Sequence, residues 1–186
     1  FVARKGTRDH GARFVADAIE RGAVAVAAEG AIEVPVPVLR VPDAESALAW
    51  AASYVWGHPT WTLDVIGITG TNGKTTTAWL VEHALRQMGA RPGLLGTVAH
   101  RFGMIEWPAM HTTPEADDLA RRFGMMRDAG ATHAVMEVSS HAIALKRVES
   151  VRFRVAAFTN ITQDHLDFHG TMERYIAAKR RLFEEL

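Results

Sequence analysis

The residues with the clearest chemical role form a glycine-rich segment that leads into a Lys-Thr pair. The segment reads Gly67-Ile68-Thr69-Gly70-Thr71-Asn72-Gly73-Lys74-Thr75-Thr76-Thr77. An apolar run, a glycine-rich turn and a helix in that order form a phosphate cradle, because backbone N–H groups can surround an anion and the helix N-terminus adds partial positive charge. In such a cradle Lys74 would reach the β- and γ-phosphates of a nucleotide, and the Thr75 hydroxyl would bind magnesium.

The spacing of this loop departs from the common phosphate-binding pattern. The pattern G-x-x-x-x-G-K-[ST] requires a glycine where this chain has Ile68. The glycines fall at positions 67, 70 and 73 instead, so the loop is a variant. A chance glycine-rich turn is the alternative, and the Lys-Thr-Thr-Thr run at the start of a helix disfavours it.

A second candidate is Glu137, which ends the apolar run of residues 134–136 and precedes the segment Val138-Ser139-Ser140-His141. An acid at the tip of a buried strand, level with a phosphate loop, is placed to bind magnesium. A strand-end carboxylate in water is the alternative. The neighbouring phosphate loop favours the metal role.

A third candidate follows the last strand and holds four titratable side chains in Asp164-His165-Leu166-Asp167-Phe168-His169-Gly170. The two histidines lie four residues apart, which allows a zinc site, but the first lacks the glutamate that follows it in helical zinc proteases. A polar surface loop is the other alternative. We interpret His58, His83 and His100 as ordinary surface histidines.

Lys179 lies in a helix predicted over residues 171–186, whose apolar positions are Met172, Tyr175, Ile176, Leu182 and Phe183. Positions 175, 179 and 183 are one turn apart, so Lys179 lies on the inward face. A buried ammonium must be paired, neutralised or chemically changed. A lysine at the helix edge with its charge in water is the alternative. Periodicity alone leaves both open.

Composition narrows the function classes. The 186 residues hold 21 Lys plus Arg and 21 Asp plus Glu, so charge gives no indication of a nucleic acid partner. With no cysteine, disulfides, thiolate metal sites and cysteine nucleophiles are excluded. No apolar run approaches the length of a membrane span, and we expect no signal peptide. We expect a cytoplasmic protein, of which this chain is a fragment.

The elements that must position these residues fall into two units. Residues 1–57 are predicted to form a small α/β module with strands at 1–3 and 23–28 and an edge or extended segment at 34–41. Its helices cover residues 12–21, with Phe14 and Val15 among the apolar positions, and 43–55, with Leu48, Ala52 and Val55 on one face.

Residues 58–186 alternate between strand and helix. Strands are predicted at 63–69, 92–98, 132–138 and 152–159, with helices at 74–88 and 115–129. In the first helix we expect Leu80, Val81, Ala84, Leu85 and Met88 to point inward. The alternation predicts an α/β fold, a mainly parallel sheet with helices on both faces. Ligands bind at the carboxyl ends of such strands, where Asn72, Glu137 and Asn160 lie.

Four stretches together resemble the Mur ligases, specifically the UDP-N-acetylmuramoyl-tripeptide synthetase branch. They are residues 70–77, His111-Thr112-Thr113-Pro114-Glu115, Met136-Glu137-Val138-Ser139-Ser140-His141, and residues 159–170 continuing to Ala177-Ala178-Lys179. The similarity covers essentially the whole chain. The loop marks the wider superfamily, and the last two stretches point to this branch.

The resemblance implies roles for the candidate residues. The ATP phosphates would be held by Gly70, Thr71, Asn72, Gly73, Lys74, Thr75 and Thr76. Thr75 and Glu137 would bind a first magnesium ion. His165 would bind a second, together with a carbamate formed on Lys179 by carbon dioxide. The catalytic set so implied is Lys74, Glu137, His165 and Lys179.

Further residues match substrate positions of the family. The muramoyl-dipeptide would be contacted by His111, Thr112, Thr113, Ser139 and Arg147, and the uridine nucleotide by Thr7, Arg8 and Asp9. Two departures affect these contacts. His10 replaces a common aspartate, and Leu145 stands where some members have a glutamine.

The implied activity is ATP-dependent addition of the third stem-peptide residue, diaminopimelate or lysine, to UDP-N-acetylmuramoyl-dipeptide through an acyl phosphate. We expect a monomer, and no ligase turnover from a chain of this extent alone. Another superfamily ligase is one alternative, such as cyanophycin synthetase or a folylpolyglutamate-type enzyme. Folate-type members usually carry Gly-Lys-Gly-Ser where this chain has Gly-Lys-Thr-Thr. A nucleotide-binding module without catalysis is the alternative from another class.

Overall fold

Two β-sheets organise the chain in the computed structural model, which describes residues 1–6 and 10–185. The smaller sheet has three parallel strands in the order β1-β2-β3. These strands are β1 (Val2–Ala3), β2 (Val26–Ala28) and β3 (Val38–Arg40). The edge position predicted for the segment at 34–41 is confirmed, and the strand is limited to three residues after Pro37.

The helix predicted over residues 12–21 begins as a 3-10 turn (Gly11–Phe14) and continues as α1 (Val15–Glu20). Val15 is buried against the small sheet in a cluster with Ala3, Val26 and Ala28. Phe14, which periodicity predicted on the same face, is half exposed because the 3-10 turn rotates it away.

Helix α2 (Ala44–Val55) has Asp43 at its N-cap, and the Asp43 carboxylate accepts a hydrogen bond from the Glu45 N–H at 3.1 Å. The predicted inward face is wrong at Val55, which is exposed, whereas Ala49 and Ser53 are buried. These small residues let α2 approach both the small sheet and α4 (Ala116–Asp128). Because α2 contacts both sides, a domain division at residue 57 stays a prediction.

The larger sheet has six strands in the order β7-β6-β5-β8-β4-β9. They are β4 (Asp64–Thr69), β5 (Pro92–Leu95), β6 (His100–Phe102), β7 (Ile105–Trp107), β8 (His133–Glu137) and β9 (Phe153–Phe158). Strands β5, β8, β4 and β9 are parallel, as predicted. The antiparallel β6–β7 hairpin was not predicted.

The interpretation of His100 as a surface histidine is wrong, because this residue is buried in strand β6 of the hairpin. Its ring is 1% exposed and contacts the guanidinium of Arg122. Burial, helped by the Arg122 charge, lowers the pKa of His100 to about 4. This histidine is therefore a neutral core residue at ordinary pH.

Helices cover both faces of the large sheet, as predicted. Helix α3 (Lys74–Gln87) lies on one face. Helix α4 lies on the other face, together with α5 (Ser140–Ala144), α6 (Leu166–His169) and α7 (Met172–Glu184). Strand β8 shows the two-residue period, since Ala134 and Met136 pack in the cluster of α4 while Val135 packs in that of α3. The apolar core therefore lies in two layers.

Two predicted helix faces are partly wrong. On α3, Val81 and Leu85 pack on the sheet, but Leu80, Ala84 and Met88 are exposed. On α7, Ile176 and Phe183 are about half exposed, whereas Tyr175, Lys179 and Leu182 are buried. When a helix carries apolar residues on more than one face, their spacing does not show which face packs on the sheet. No helix among the described residues is long and apolar enough to span a membrane.

Candidate active site

The glycine-rich loop lies where β4 ends, beside the end of β9. Gly70 has φ +143°, and a Cβ there would lie 1.9 Å from Thr159 Oγ1. Gly73, with φ +85°, precedes the first residue of α3. Both positions require glycine, one for space and conformation and one for conformation. The predicted arrangement of strand, glycine-rich turn and helix is confirmed.

Thr71 and Asn72 fasten the loop to the segment after β9. The N–H of Thr71 donates to Asn160 O at 2.9 Å, and that of Asn72 donates to Asn160 Oδ1 at 3.1 Å. The Thr71 hydroxyl donates to Thr162 O at 3.2 Å and lies 2.9 Å from the hydroxyl of Tyr175. Asn160 thus lies at the carboxyl edge of the sheet, as predicted, and fixes the loop.

Lys74 folds back over the loop. Its Nζ donates to Gly70 O at 3.0 Å and to Thr71 O at 2.8 Å. Burial lowers the pKa of Lys74, and the charges of Glu137 and Asp164 oppose that shift. The ammonium is thereby held at the mouth of the loop, within reach of an anion seated there.

Glu137 ends β8 and is 1% exposed, so the alternative of a carboxylate in water is wrong. Its Oε2 accepts from Thr75 Oγ1 at 3.0 Å and from Thr97 Oγ1 at 3.1 Å. Its Oε1 accepts from the Thr97 N–H at 2.9 Å. A buried carboxylate held by neutral donors beside a threonine hydroxyl offers the hard oxygen ligands that Mg²⁺ prefers.

Gly96 and Thr97 are site residues that the sequence interpretation missed. A Cβ at Gly96 would lie 2.3 Å from Glu137 Oε1, so glycine is required for the carboxylate to occupy its position. The available signal was a Gly-Thr pair directly after β5, a strand parallel to β8 in the same sheet. Such residues meet at one sheet edge.

Lys179 is 3% exposed, which excludes the alternative of a solvated lysine at the helix edge. Its Nζ donates to Gly70 O at 2.8 Å and lies 4.6 Å from the centroid of the Tyr175 ring. Burial lowers the pKa of Lys179 to about 8, the Lys74 charge adds to the shift, and the Asp164 charge opposes it. Both lysines therefore converge on one carbonyl oxygen.

Three histidines gather around Tyr175 and α6. The ring of His165 lies 4.7 Å from that of His141 and 6.3 Å from that of Tyr175, and its backbone has φ +51°. His169 is buried, with Nε2 2.9 Å from Ser140 Oγ. Burial, and then the charge of His165, lowers the pKa values of His141 and His169. The neutral form of His141 and of His169 is therefore favoured by the fold.

No group of three or more His, Cys, Asp or Glu side chains in the described part of the chain could hold a metal ion. The zinc alternative therefore has no support there. Mg²⁺ is usually bound by one or two carboxylates together with substrate phosphates, and the Thr75–Glu137 pair fits that chemistry.

The predicted substrate residues lie beside this edge where they can be described. Thr113 is buried, donates to Glu137 O at 2.8 Å and accepts from the Ser139 N–H at 3.1 Å. Thr112 Oγ1 lies 3.0 Å from Thr97 Oγ1, and His111 is exposed. Thr7, Arg8 and Asp9 lie outside the described residues. Their substrate roles stay predictions.

Arg147 is held by two contacts close to the same edge. Its guanidinium donates to Thr113 O at 3.2 Å and forms an ion pair with Glu115 at 2.5 Å. The side chain is 14% exposed. The arrangement thus brings a cation next to the threonines that were predicted to contact the same substrate.

Residues 68–186 match the family described as the Mur ligase middle domain. The chain belongs to the Mur ligase family. This agrees with the resemblance drawn from its motifs, and the family match covers the phosphate loop, Glu137 and Lys179.

Two similar proteins from different bacteria have the same name. The UDP-N-acetylmuramoyl-L-alanyl-D-glutamate–2,6-diaminopimelate ligase of Geobacillus thermodenitrificans is 49% identical over the whole chain, which spans 38% of that protein. The enzyme of the same name from Geobacter sulfurreducens is also 49% identical, and the chain spans 37% of it. The chain thus corresponds to less than half of each relative.

Solved structures of Mur ligases share the fold. One of a UDP-N-acetylmuramoyl-L-alanyl-D-glutamate–2,6-diaminopimelate ligase has a TM-score of 0.82 at 32% identity, over 93% of this chain and 35% of that one. The MurF ligase of Thermotoga maritima, in complex with ADP, has a TM-score of 0.61 at 26% identity, over 98% of this chain and 39% of that one.

Proposed function

We propose that the full-length protein is an ATP-dependent ligase that adds diaminopimelate to UDP-N-acetylmuramoyl-L-alanyl-D-glutamate. The relatives that span this chain carry that name, which favours diaminopimelate over lysine. The observation that carries the proposal is the pairing of Thr75 with buried Glu137 next to a loop on which Lys74 and Lys179 converge.

The first step of the proposed reaction is transfer of the γ-phosphoryl group of ATP to the side-chain carboxylate of D-glutamate, which gives an acyl phosphate and ADP. Catalysis of such transfers consists mostly of positioning and charge neutralisation. The N–H groups at the start of α3 would bind the phosphates, and Lys74 would turn from the loop carbonyls to the transferred group. The amine of the incoming amino acid then attacks the acyl phosphate, and phosphate leaves.

Magnesium fits the residues present, since Thr75 and Glu137 supply a hydroxyl and a buried carboxylate 3.0 Å apart. When bound there, it would neutralise charge on the phosphates. Thr97 and Gly96 keep the Glu137 carboxylate in position. His165 is proposed for a second ion on the strength of the family resemblance and of its position beside Tyr175.

Lys179 is proposed to carry the carbamate. Its pKa of about 8 leaves part of the amine neutral near pH 7.5, and only the neutral amine can attack carbon dioxide, forming the C–N bond and releasing a proton. The product would be an anion near the ammonium of Lys74, which would attract it. A monomeric state and a cytoplasmic location are part of the same proposal and rest on the resemblance.

A phosphate-release assay on the full-length protein tests the proposal, with ATP, UDP-N-acetylmuramoyl-dipeptide and either diaminopimelate or lysine. We expect turnover that needs the UDP-peptide and diaminopimelate, and a fall in kcat of about 10²- to 10³-fold in Lys74→Ala. A cyanophycin synthetase-like or folylpolyglutamate-type enzyme would not need the UDP-peptide. ATP binding without any phosphate release would support the non-catalytic alternative instead.

A further inference from the structure

A cleft of about 420 Å³ lies between the small sheet and the start of α4, and its lining includes two arginines and two glutamates. Arg4 and Glu45 come from the small-sheet side, and Glu115 and Arg147 come from the large-sheet side. Each side thus contributes one cation and one anion, and Lys5 adds a third cation to the lining.

The four side chains form one continuous chain of ion pairs. Arg4 NH1 donates to Glu45 Oε2 at 2.9 Å and to Glu115 Oε2 at 3.1 Å. The other oxygen of Glu115 pairs with Arg147 NH2 at 2.5 Å. The carboxylate of Glu115 therefore bridges two guanidiniums, and Arg4 links the two sides of the cleft.

Glu115 occupies the N-cap position of α4 but makes no side-chain capping hydrogen bond. The side chains that usually cap a helix at that position are those of Ser, Thr, Asp and Asn, and the longer glutamate side chain extends past the helix end. Its carboxylate is turned to the arginines instead, while the following helix is largely buried and so holds the backbone of Glu115 in place. The bridge is thus built on a rigid element.

We propose that Arg4 and Glu115 are positioning residues that set the orientation and the effective charge of Arg147 toward an anionic substrate. The proposal rests on the proposed function, in which Arg147 contacts the UDP-linked peptide. Glu115 fixes the guanidinium of Arg147 against Thr113 O. Arg4 shares the Glu115 carboxylate, so less of the Arg147 charge is neutralised. Lys5 also lines the cleft, so its charged side chains carry one excess positive charge, and loss of Arg4 removes this excess to the disadvantage of an acidic substrate.

The test uses the full-length protein with the variants Arg4→Met, Arg4→Lys, Glu115→Gln and the double variant. We measure kcat, the KM values for UDP-N-acetylmuramoyl-dipeptide and ATP, and binding of the UDP-peptide by calorimetry. Arg4→Met is expected to weaken UDP-peptide binding about three- to tenfold, since the pairs are partly exposed. Glu115→Gln should weaken it less, because the loss of the ion pair that orients Arg147 is partly offset by the removal of a negative charge. The KM for ATP should stay within about twofold, because the ATP loop is held by separate contacts.

The double variant should lose less than the sum of the single losses, because Arg4 acts through Glu115. Arg4→Lys keeps the charge without the planar guanidinium and should restore part of the affinity. Arg21→Ala is the matched control, because it removes an exposed arginine–carboxylate pair with Asp17 elsewhere in the small-sheet region. It should leave every parameter unchanged.

Unchanged UDP-peptide affinity in Arg4→Met would overturn the inference. So would a parallel loss of kcat, ATP affinity and UDP-peptide affinity in both Arg4→Met and Arg4→Lys, which indicates a purely structural role. The proposed function fails separately, when the unmodified protein shows no phosphate release with the UDP-peptide. Calorimetry then still tests whether Arg4 sets the affinity for the anionic ligand.

Discussion

The phosphate-loop region and the cleft around Arg4 are both polar, but they are held by different forces. At the loop, Glu137 and Lys179 are almost fully buried, and Glu137 is held by neutral donors. At the cleft, ion pairs hold the two sides together, and the Arg4 and Glu115 side chains are 35% and 30% exposed. Water is excluded from Glu137 and Lys179 in the first region, whereas it reaches the ion pairs of the second.

This difference has physical consequences. In a buried site, a displaced hydrogen-bonding group leaves its partner unsatisfied, so small steric changes are costly. In a partly exposed site, water and salt screen each ion pair, so single changes cost less and depend on ionic strength. The loop region should therefore be sensitive to added atoms, and the cleft to charge and pH.

Gly70→Ala tests the steric limit of the loop and should have the largest effect. The added Cβ meets Thr159 Oγ1 at 1.9 Å and Asn160 O at 3.0 Å, in a conformation that alanine rarely adopts. We expect ATP affinity to fall more than about 100-fold and stability to fall by about 3 kcal/mol or more. Nucleotide binding by calorimetry and thermal unfolding measure the two effects.

Gly89→Ala is the matched control for Gly70→Ala. Gly89 also has a positive φ, +83°, but nothing lies within 4 Å of its added Cβ. The Gly89→Ala variant should lose about 1 kcal/mol of stability and should keep its ATP affinity. Equal losses of ATP affinity in the two variants would show that strain alone, rather than the contact with the β9 end, decides the effect.

Gly96→Ala asks whether the Glu137 carboxylate must stay in its observed position. Its Cβ would lie 2.3 Å from Glu137 Oε1 and would displace the carboxylate from Thr97. We expect the magnesium concentration that gives half-maximal phosphate release to rise about 10- to 100-fold. Gly30→Ala, whose Cβ has open space, is the control. An unchanged magnesium requirement in Gly96→Ala would contradict the assignment of Glu137 to the metal.

Tyr175→Phe removes a single neutral contact of the loop region and keeps the ring beneath Lys179. The lost bond is the 2.9 Å contact with Thr71 Oγ1, which keeps its partners at Thr162. Stability should fall by about 1 kcal/mol in chemical denaturation. The double variant Tyr175→Phe/Thr71→Val should show coupling of similar size. Additive losses would mean that the two hydroxyls do not interact.

The sequence predicted the loop region better than the cleft. Glycine spacing, a Lys-Thr pair and a strand-end acid are local patterns, and parallel strands bring their ends to one edge. Thus Lys74, Glu137 and the inward direction of Lys179 could be predicted from short segments. The antiparallel β6–β7 hairpin was missed, because its three-residue strands are too short to show a period.

The cleft could not be predicted in the same way. Arg4 and Glu115 are 111 residues apart, and no local pattern indicates that they meet. The failure at Val55, and at Leu80 and Met88, has the same origin. Which apolar face of a helix is buried depends on the elements that pack on it, and hydrophobic periodicity does not identify them.

The smallest predicted effect concerns the ion pair of Asp43 and Lys146, which also links the two sides of the molecule. Burial alone would raise the pKa of Asp43, but the hydrogen bonds from Lys146 and Ser46 and the Lys146 charge lower it to about 2. Since the unfolded value is near 3.9, the stabilisation is present above about pH 4 and is lost as pH falls toward 2. With the Lys146 and Asp43 side chains 33% and 28% exposed, we expect it to be about 1 kcal/mol at most. Between pH 6 and about 2.5, the free energy of unfolding should fall less in Asp43→Asn than in the unmodified protein. The difference between the two proteins should shrink at high salt. If the free energy of unfolding falls equally in both proteins, contacts other than this ion pair hold the two sides of the molecule together. The contrast with the buried loop region would then not hold.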